Sequence, residues 1–232
     1  MRAIAKKRDH NLRMYLILMI FCFEMEMFVN VGEGSTYLYL RRTLEFTMSD
    51  YTRYSTVVGV IGIVAQYVTI PILSERLKLH DSTIILIDIG GCFIQTVILA
   101  CIQAEWMLYL GAIIACLDAT SFTMIRCMIT KHVDPDEVGK LLSVVGAFQS
   151  FIPILGGPLF GLLYKHTVET LPQAFLIVLA FFFAIDFFTL VFINRGTRRI
   201  AKVMAAVEMQ DIKSIAVKQE LLNEKNEIHD RS

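Results

Sequence analysis

Apolar residues along this chain gather in six blocks separated by short polar connectors: Met14–Leu38, Tyr54–Leu73, Thr83–Gln103, Trp106–Ile129, Val138–Tyr164 and Gln173–Asn194. Each is near or above the roughly 20 residues that carry an α-helix across a hydrocarbon core. Backbone polar groups in hydrocarbon must be satisfied within the segment, so each block predicts a transmembrane helix. The expected fold class is an all-α membrane protein with six transmembrane helices. Its expected layout is a basic lead-in (1–13), a bundle (14–194) and a polar, mixed-charge tail (195–232). In the tail, Ile200, Val203, Val207, Ile212 and Ile215 form a weak amphipathic pattern that fits a membrane-surface helix or a solvated segment.

The polar residues inside the blocks carry the chemistry. Glu26, Asn30, Glu33 and Tyr37 recur at helical spacing and share one face of the first span, whereas Glu24 points away from Glu26. Gly32-Glu33-Gly34 lowers helix propensity and predicts local unwinding, a feature that lines sites in transporters. The second span carries Gly59, Gly62, Gln66 and Thr69 on one stripe, read as close helix packing with Gln66 as a solute-facing group. The third places Asp88, Gly91 and Gln95 on one face. The fourth holds Asp118 and Arg126, which border one polar sector. A lone arginine at mid-membrane costs roughly 2.5 kcal/mol or more, so Arg126 faces the bundle interior or snorkels to an interface. The fifth has Gln149, Pro153 and then Gly156-Gly157-Pro158, which marks a kink or a close crossing. In the sixth, Asp186 stands alone among phenylalanines.

Composition narrows the function classes. Of the 232 residues, 55% are hydrophobic, and the formal net charge of zero gives no basic field for nucleic acid. The cysteines (Cys22, Cys92, Cys101, Cys116, Cys127) all fall in spans with no metal-ligand spacing, and are expected as small apolar filler. No cofactor is implied. The first block is too long for a cleavable signal peptide and lacks a small-x-small cleavage site. Arg41, Arg42, Arg53 and Lys165 fall on one side of the membrane. The lead-in, the connectors around Arg76 and Lys131, and the tail place the larger share of Lys and Arg on the other. Both termini are therefore expected in the cytoplasm; the membrane itself is expected to be the plasma membrane or an endolysosomal membrane.

The order of these features resembles the C-terminal six-helix half of a major facilitator superfamily transporter. The strongest part is Ile125-Arg126, Ile129-Thr130-Lys131, Val133, Glu137, Gly139 and Leu142-Ser143. More narrowly, the chain looks like the proton-coupled folate transporter family, solute carrier family 46. Ser74–Asp81 sits where the superfamily has its Gly-x-x-x-Asp-Arg-x-Gly loop, matched only at Arg76 and Lys78. Gly157-Pro158 resembles the Gly-Pro of its fifth-helix motif. The resemblance implies an absent N-terminal half or a second chain as partner, and a cavity lined by spans one, two, four and five. It implies Glu26, Asn30, Glu33, Gln66, Asp118, Arg126 and Gln149 as site residues. Asp88 and Asp186 become structural acids that bond to neighbouring helices. The residue matching Arg126 is associated in the family with substrate affinity and coupling. The family's first helix of this half carries a histidine linked to protonation; here that region is Asn30-Val31-Gly32, which leaves Glu26, Glu33 or Asp118 as the titrating group.

Two functions fit. One is transport of a small anionic solute as half of a secondary transporter, with protons as the candidate coupling ion. The alternative is a membrane assembly or regulatory protein without transport. An enzyme is not indicated: the contexts of Asp88 and Asp118 do not match intramembrane aspartic proteases. Repeated intramembrane arginines and a potassium-channel filter sequence are both absent.

Overall fold

The computed structural model describes residues 12–72, 81–131, 133 and 135–196. They form α1 (Leu12–Glu33), α2 (Thr36–Thr43), α3 (Met48–Pro71), α4 (Asp81–Ala100), α5 (Glu105–Ile114), α6 (Asp118–Lys131), α7 (Pro135–Thr167) and α8 (Ala174–Gly196). Among the described residues, four helical stretches are long and apolar enough to cross a membrane: Met14–Thr43, Ser82–Ala100, Asp136–Thr167 and Ala174–Gly196. The expected second span falls on α3, whose first two turns are polar. The expected fourth span is not continuous: a turn at Ala115–Leu117 divides Trp106–Ile129 into α5 and α6. Asp118, Thr120 and Ser121, poor residues for a helix interior, follow that turn and favour a new start. The lead-in up to residue 11, the connector with Arg76, and the tail from residue 197 lie outside the described residues.

The unwinding expected at Gly32-Glu33-Gly34 is present. Gly34 and Ser35 form a turn between α1 and α2, closed by the Ser35 N–H on the Gly32 carbonyl at 3.0 Å. Helix α3 opens with a reciprocal capping box. Thr47 N–H donates to the Asp50 carboxylate at 3.0 Å, and Asp50 N–H donates to the Thr47 hydroxyl at 3.3 Å. Arg53 adds an ion pair to Asp50. The long α7 begins with Pro135, has Asp136 and Glu137 in its first turn, and ends with Lys165 and His166, each placed with the helix dipole.

Helix α1 packs against α6 and α7, α4 against α5 and α6, and α3 against α5 and α6. Phe23 stacks on Phe122 with ring centroids 4.5 Å apart, and Phe28 meets Phe160 and Phe182 at 5.1 and 5.3 Å. Tyr39 donates its hydroxyl to the Leu99 carbonyl at 3.1 Å, and Tyr164 donates to Leu38 at 3.0 Å, so α2 is tied to both α4 and α7. Gly91 lies under α5: a Cβ there would sit 2.8 Å from the Ile114 carbonyl oxygen.

Large parts of α3 and α7 are uncovered. Val60, Ile63, Val64 and Tyr67 on α3, and Phe148, Phe151, Ile154 and Leu155 on α7, are exposed. The packing expected of Gly59 and Gly62 is not made within this bundle, since a Cβ at either would meet nothing within 4 Å. Gly156 does pack, facing Val31 and Phe28, whereas its neighbour Gly157 meets open space and Pro158 is exposed. Cys22 and Cys92 are buried filler as expected; Cys101 and Cys127 are exposed and Cys116 is half-buried.

Candidate functional site

Two interrupted helices end at one cavity of about 260 Å³. Glu33, the last residue of α1, and Ser121, in the first turn of α6, both line it, with Glu26, Asn30, Cys92 and Phe122. Three of the sequence-predicted site residues, Glu26, Asn30 and Glu33, are thus brought together on one wall by helical spacing. Glu24 is absent from the lining, as its angular position implies; its carboxylate oxygens are buried without a hydrogen bond.

The acidic residue that shapes this site from behind is Asp88. It is 2% exposed and accepts the Ser121 backbone N–H at 2.7 Å, with the Cys92 sulfur 4.0 Å away. The first N–H groups of a helix have no partner inside it, so a carboxylate from α4 caps α6 from outside and complements its dipole. The face Asp88, Gly91 and Gln95 therefore packs inward: on α6, on Ile114, and beside Gly111. Asp186 is also wholly buried, with the Cys22 thiol as its polar neighbour and neither oxygen within ordinary hydrogen-bond distance of a donor.

A second cavity of about 200 Å³ adjoins at Glu33 and is walled by Tyr51, Tyr54, Gln95 and Thr96. Glu33 is the charged neighbour of both tyrosines, and Gln95 lies beside Tyr54. Tyr37, beyond the helix break, meets Tyr51 with ring centroids 5.2 Å apart and planes tilted by 56°. The tyrosine group was not legible as a site, because Tyr51 and Tyr54 straddle the edge of an apolar block. At Asp50, hydrogen bonds from Thr47 and then the Arg53 guanidinium hold the carboxyl down to about 2.

The other predicted residues whose side chains are described line neither of these cavities. Arg126 is exposed on α6, on a stripe with Thr123, Cys127 and Thr130; unlike the uncovered faces of α3 and α7, this stripe is polar. Gln66 is half-buried on α3. Gln149 is half-buried on α7, and its amide nitrogen is buried without a hydrogen-bond acceptor. Glu137 is half-buried in the first turn of α7, and Gly139 is exposed there. Asp118 and Lys131 occupy the two ends of α6, but their side chains lie outside the described ones.

No family model matches the chain. It is 25% identical over 185 residues to the probable peptidoglycan muropeptide transporter SLC46 of Drosophila melanogaster, covering 78% of this chain and 36% of that protein. It is 21% identical over 131 residues to the mouse (Mus musculus) Hippocampus abundant transcript 1 protein, covering 56% of this chain and 26% of the relative. The human (Homo sapiens) Hippocampus abundant transcript-like protein 1 is 22% identical over the same length, with the same coverage. The chain thus spans about a third of the first relative and a quarter of the others. It is a distant homologue of these proteins, and through them of the major facilitator superfamily of transporters.

Proposed function

We propose that this chain forms the C-terminal half of a secondary transporter that carries a small, anionic solute across a membrane. The observation that carries the reading is the convergence of the α1 and α6 ends on one cavity. Discontinuous membrane helices expose backbone groups where a solute or ion is held, and such irregular backbone is tolerated in a bilayer only where protein or a watery cavity surrounds it. In this reading Glu26, Asn30 and Glu33 form one wall. Arg126, on its polar stripe, faces the cleft made with a second six-helix half and takes a carboxylate of the solute. Asp118, Gln66 and Gln149 complete the cleft once the halves meet. Glu26 or Glu33 serves as the titrating group for proton coupling. The uncovered faces of α3 and α7 suit burial against that second half, whether it lies in the same polypeptide or in another chain. Both termini of this half lie in the cytoplasm.

The same faces also favour the second reading, an assembly protein without flux. Uptake separates the two. The assembled transporter in proteoliposomes is given a radiolabelled muropeptide, the solute class named for the Drosophila relative, with and without a proton gradient. Gradient-dependent uptake that falls at least tenfold in Arg126→Ala at equal incorporation supports transport. Parent-level uptake by Arg126→Ala removes that residue from the mechanism. A stable two-half assembly with no uptake of any small anion supports the assembly reading.

A further inference from the structure

The cavity of about 200 Å³ beside the α1–α2 turn has a composition unlike an anion site. Its wall contains one carboxylate, Glu33, and no Lys, Arg or His side chain among the described residues. Two aromatic rings face it, Tyr51 and Tyr54, with centroids 6.3 Å apart and inclined at 46°. Tyr37 and Tyr109 back them, at 5.2 Å from Tyr51 and 5.8 Å from Tyr54. Tyr54 is buried and meets the Tyr109 ring edge-on, so the box is set by the fold rather than by free rotamers. The cation on the same helix, Arg53, is engaged by Asp50.

We propose that this cavity binds a small organic cation of the alkylammonium class, with Glu33 as counter-charge and the Tyr51 and Tyr54 rings as walls. Ring faces attract such cations through their quadrupole, most strongly where water is excluded. A weakly hydrated methylated ammonium gives up its water more readily than a sodium ion, and two ring faces with a single carboxylate suit it. A multivalent metal is poorly served, since no group of three or more His, Cys, Asp or Glu side chains is arranged to hold one among the described residues. The cavity is smaller than the roughly 300 Å³ at which drug-sized pockets begin, which limits the ligand to a head group.

This site is separate from the Arg126 stripe, and its test does not depend on transport. Choline is titrated calorimetrically onto the purified full chain in detergent micelles, against 3,3-dimethylbutan-1-ol, its neutral isostere. Choline should bind saturably and about tenfold more tightly than the isostere. Glu33→Gln should lower choline affinity by a similar factor. Tyr54→Leu should lose several-fold, and Tyr54→Phe, which keeps the ring, should stay within about twofold of the parent. Equal affinity of the two ligands for the parent protein overturns the proposal without any variant. So does the absence of saturable choline binding, or Glu33→Gln binding like the parent.

Discussion

Replacing Asp88 tests whether a buried acid in a membrane helix acts as a structural cap. Asp88→Ala removes the carboxylate that accepts the Ser121 N–H, a 2.7 Å bond in a site that is 2% exposed. A hydrogen bond to a charged group contributes about 1.5–3 kcal/mol. Loss of a helix cap costs about 0.5–2 kcal/mol. These describe the same bond, so they overlap, and the expected loss is about 2–3 kcal/mol. For a folded unit of this size each kcal/mol moves the melting midpoint by about 2–4 °C, which gives a drop of about 4–12 °C. Asp88→Asn keeps one acceptor oxygen and loses the charge, so it should fall between the two. Asp186→Asn is the control. Neither Asp186 oxygen makes an ordinary hydrogen bond, so neutralising it leaves no donor stranded and should hold or raise the midpoint. The assay is thermal unfolding in detergent, followed by reaction of the buried Cys22 and Cys92 thiols with a fluorogenic maleimide. A parent-like midpoint for Asp88→Ala, or a larger drop for Asp186→Asn than for Asp88→Asn, refutes the reasoning.

Gly91→Ala puts a Cβ 2.8 Å from the Ile114 carbonyl oxygen, so helix α4 or α5 must shift; the same melt should fall by an amount matching about 1–3 kcal/mol. Gly62→Ala meets open space and should leave the isolated chain unchanged or more stable by up to about 1 kcal/mol, while weakening co-purification with a second half if that face is covered there. Thr47→Ala removes half of the capping box and should cost about 1 kcal/mol in the chemical or thermal unfolding of α3, read by circular dichroism. The Asp50 carboxyl sits at about 2 in the folded chain against an ordinary 3.8. A lowered folded value means that its contribution is present above about pH 4 and is lost as the pH falls toward 2, so the midpoint gap between parent and Asp50→Asn should close over that window.

Much of this architecture was legible because apolar blocks of bilayer length leave little choice of backbone structure. The break after Glu33 could also be read, since Gly32 and Gly34 flank it and lower helix propensity locally. The break between α5 and α6 could not. Ala115-Cys116-Leu117 is apolar and contains neither Gly nor Pro, and the weak helix preference of the Asp118, Thr120 and Ser121 that follow does not by itself end a span. Its helix start is stabilised by Asp88, 33 residues from Ser121, which is a tertiary contact that no short window contains. The Glu26–Asn30–Glu33 wall followed from periodicity alone. The tyrosine box did not, because it joins residues from both sides of a helix break with a third helix. The glycine stripe of α3 was visible, but its packing partner is not within this chain's described bundle.

The two helix ends do not contribute equally to the field in the main cavity. The α6 N-terminus, which carries a partial positive charge, is already answered by the Asp88 carboxylate. The α1 C-terminus, which carries a partial negative charge, ends in Glu33, and Glu26 lies two turns earlier on the same wall. The cavity is therefore biased toward positive charge, as is its neighbour between the tyrosines. Arg126 supplies the opposite sign from a different face of α6. If the proposed transport function holds, an anionic solute and a cation or proton would have separate places to go, which is the arrangement a coupled carrier needs. Two charges of opposite sign that meet different walls bias the same conformational change without neutralising each other at one point, and coupling between them then becomes a property of how the halves close rather than of a single ion pair.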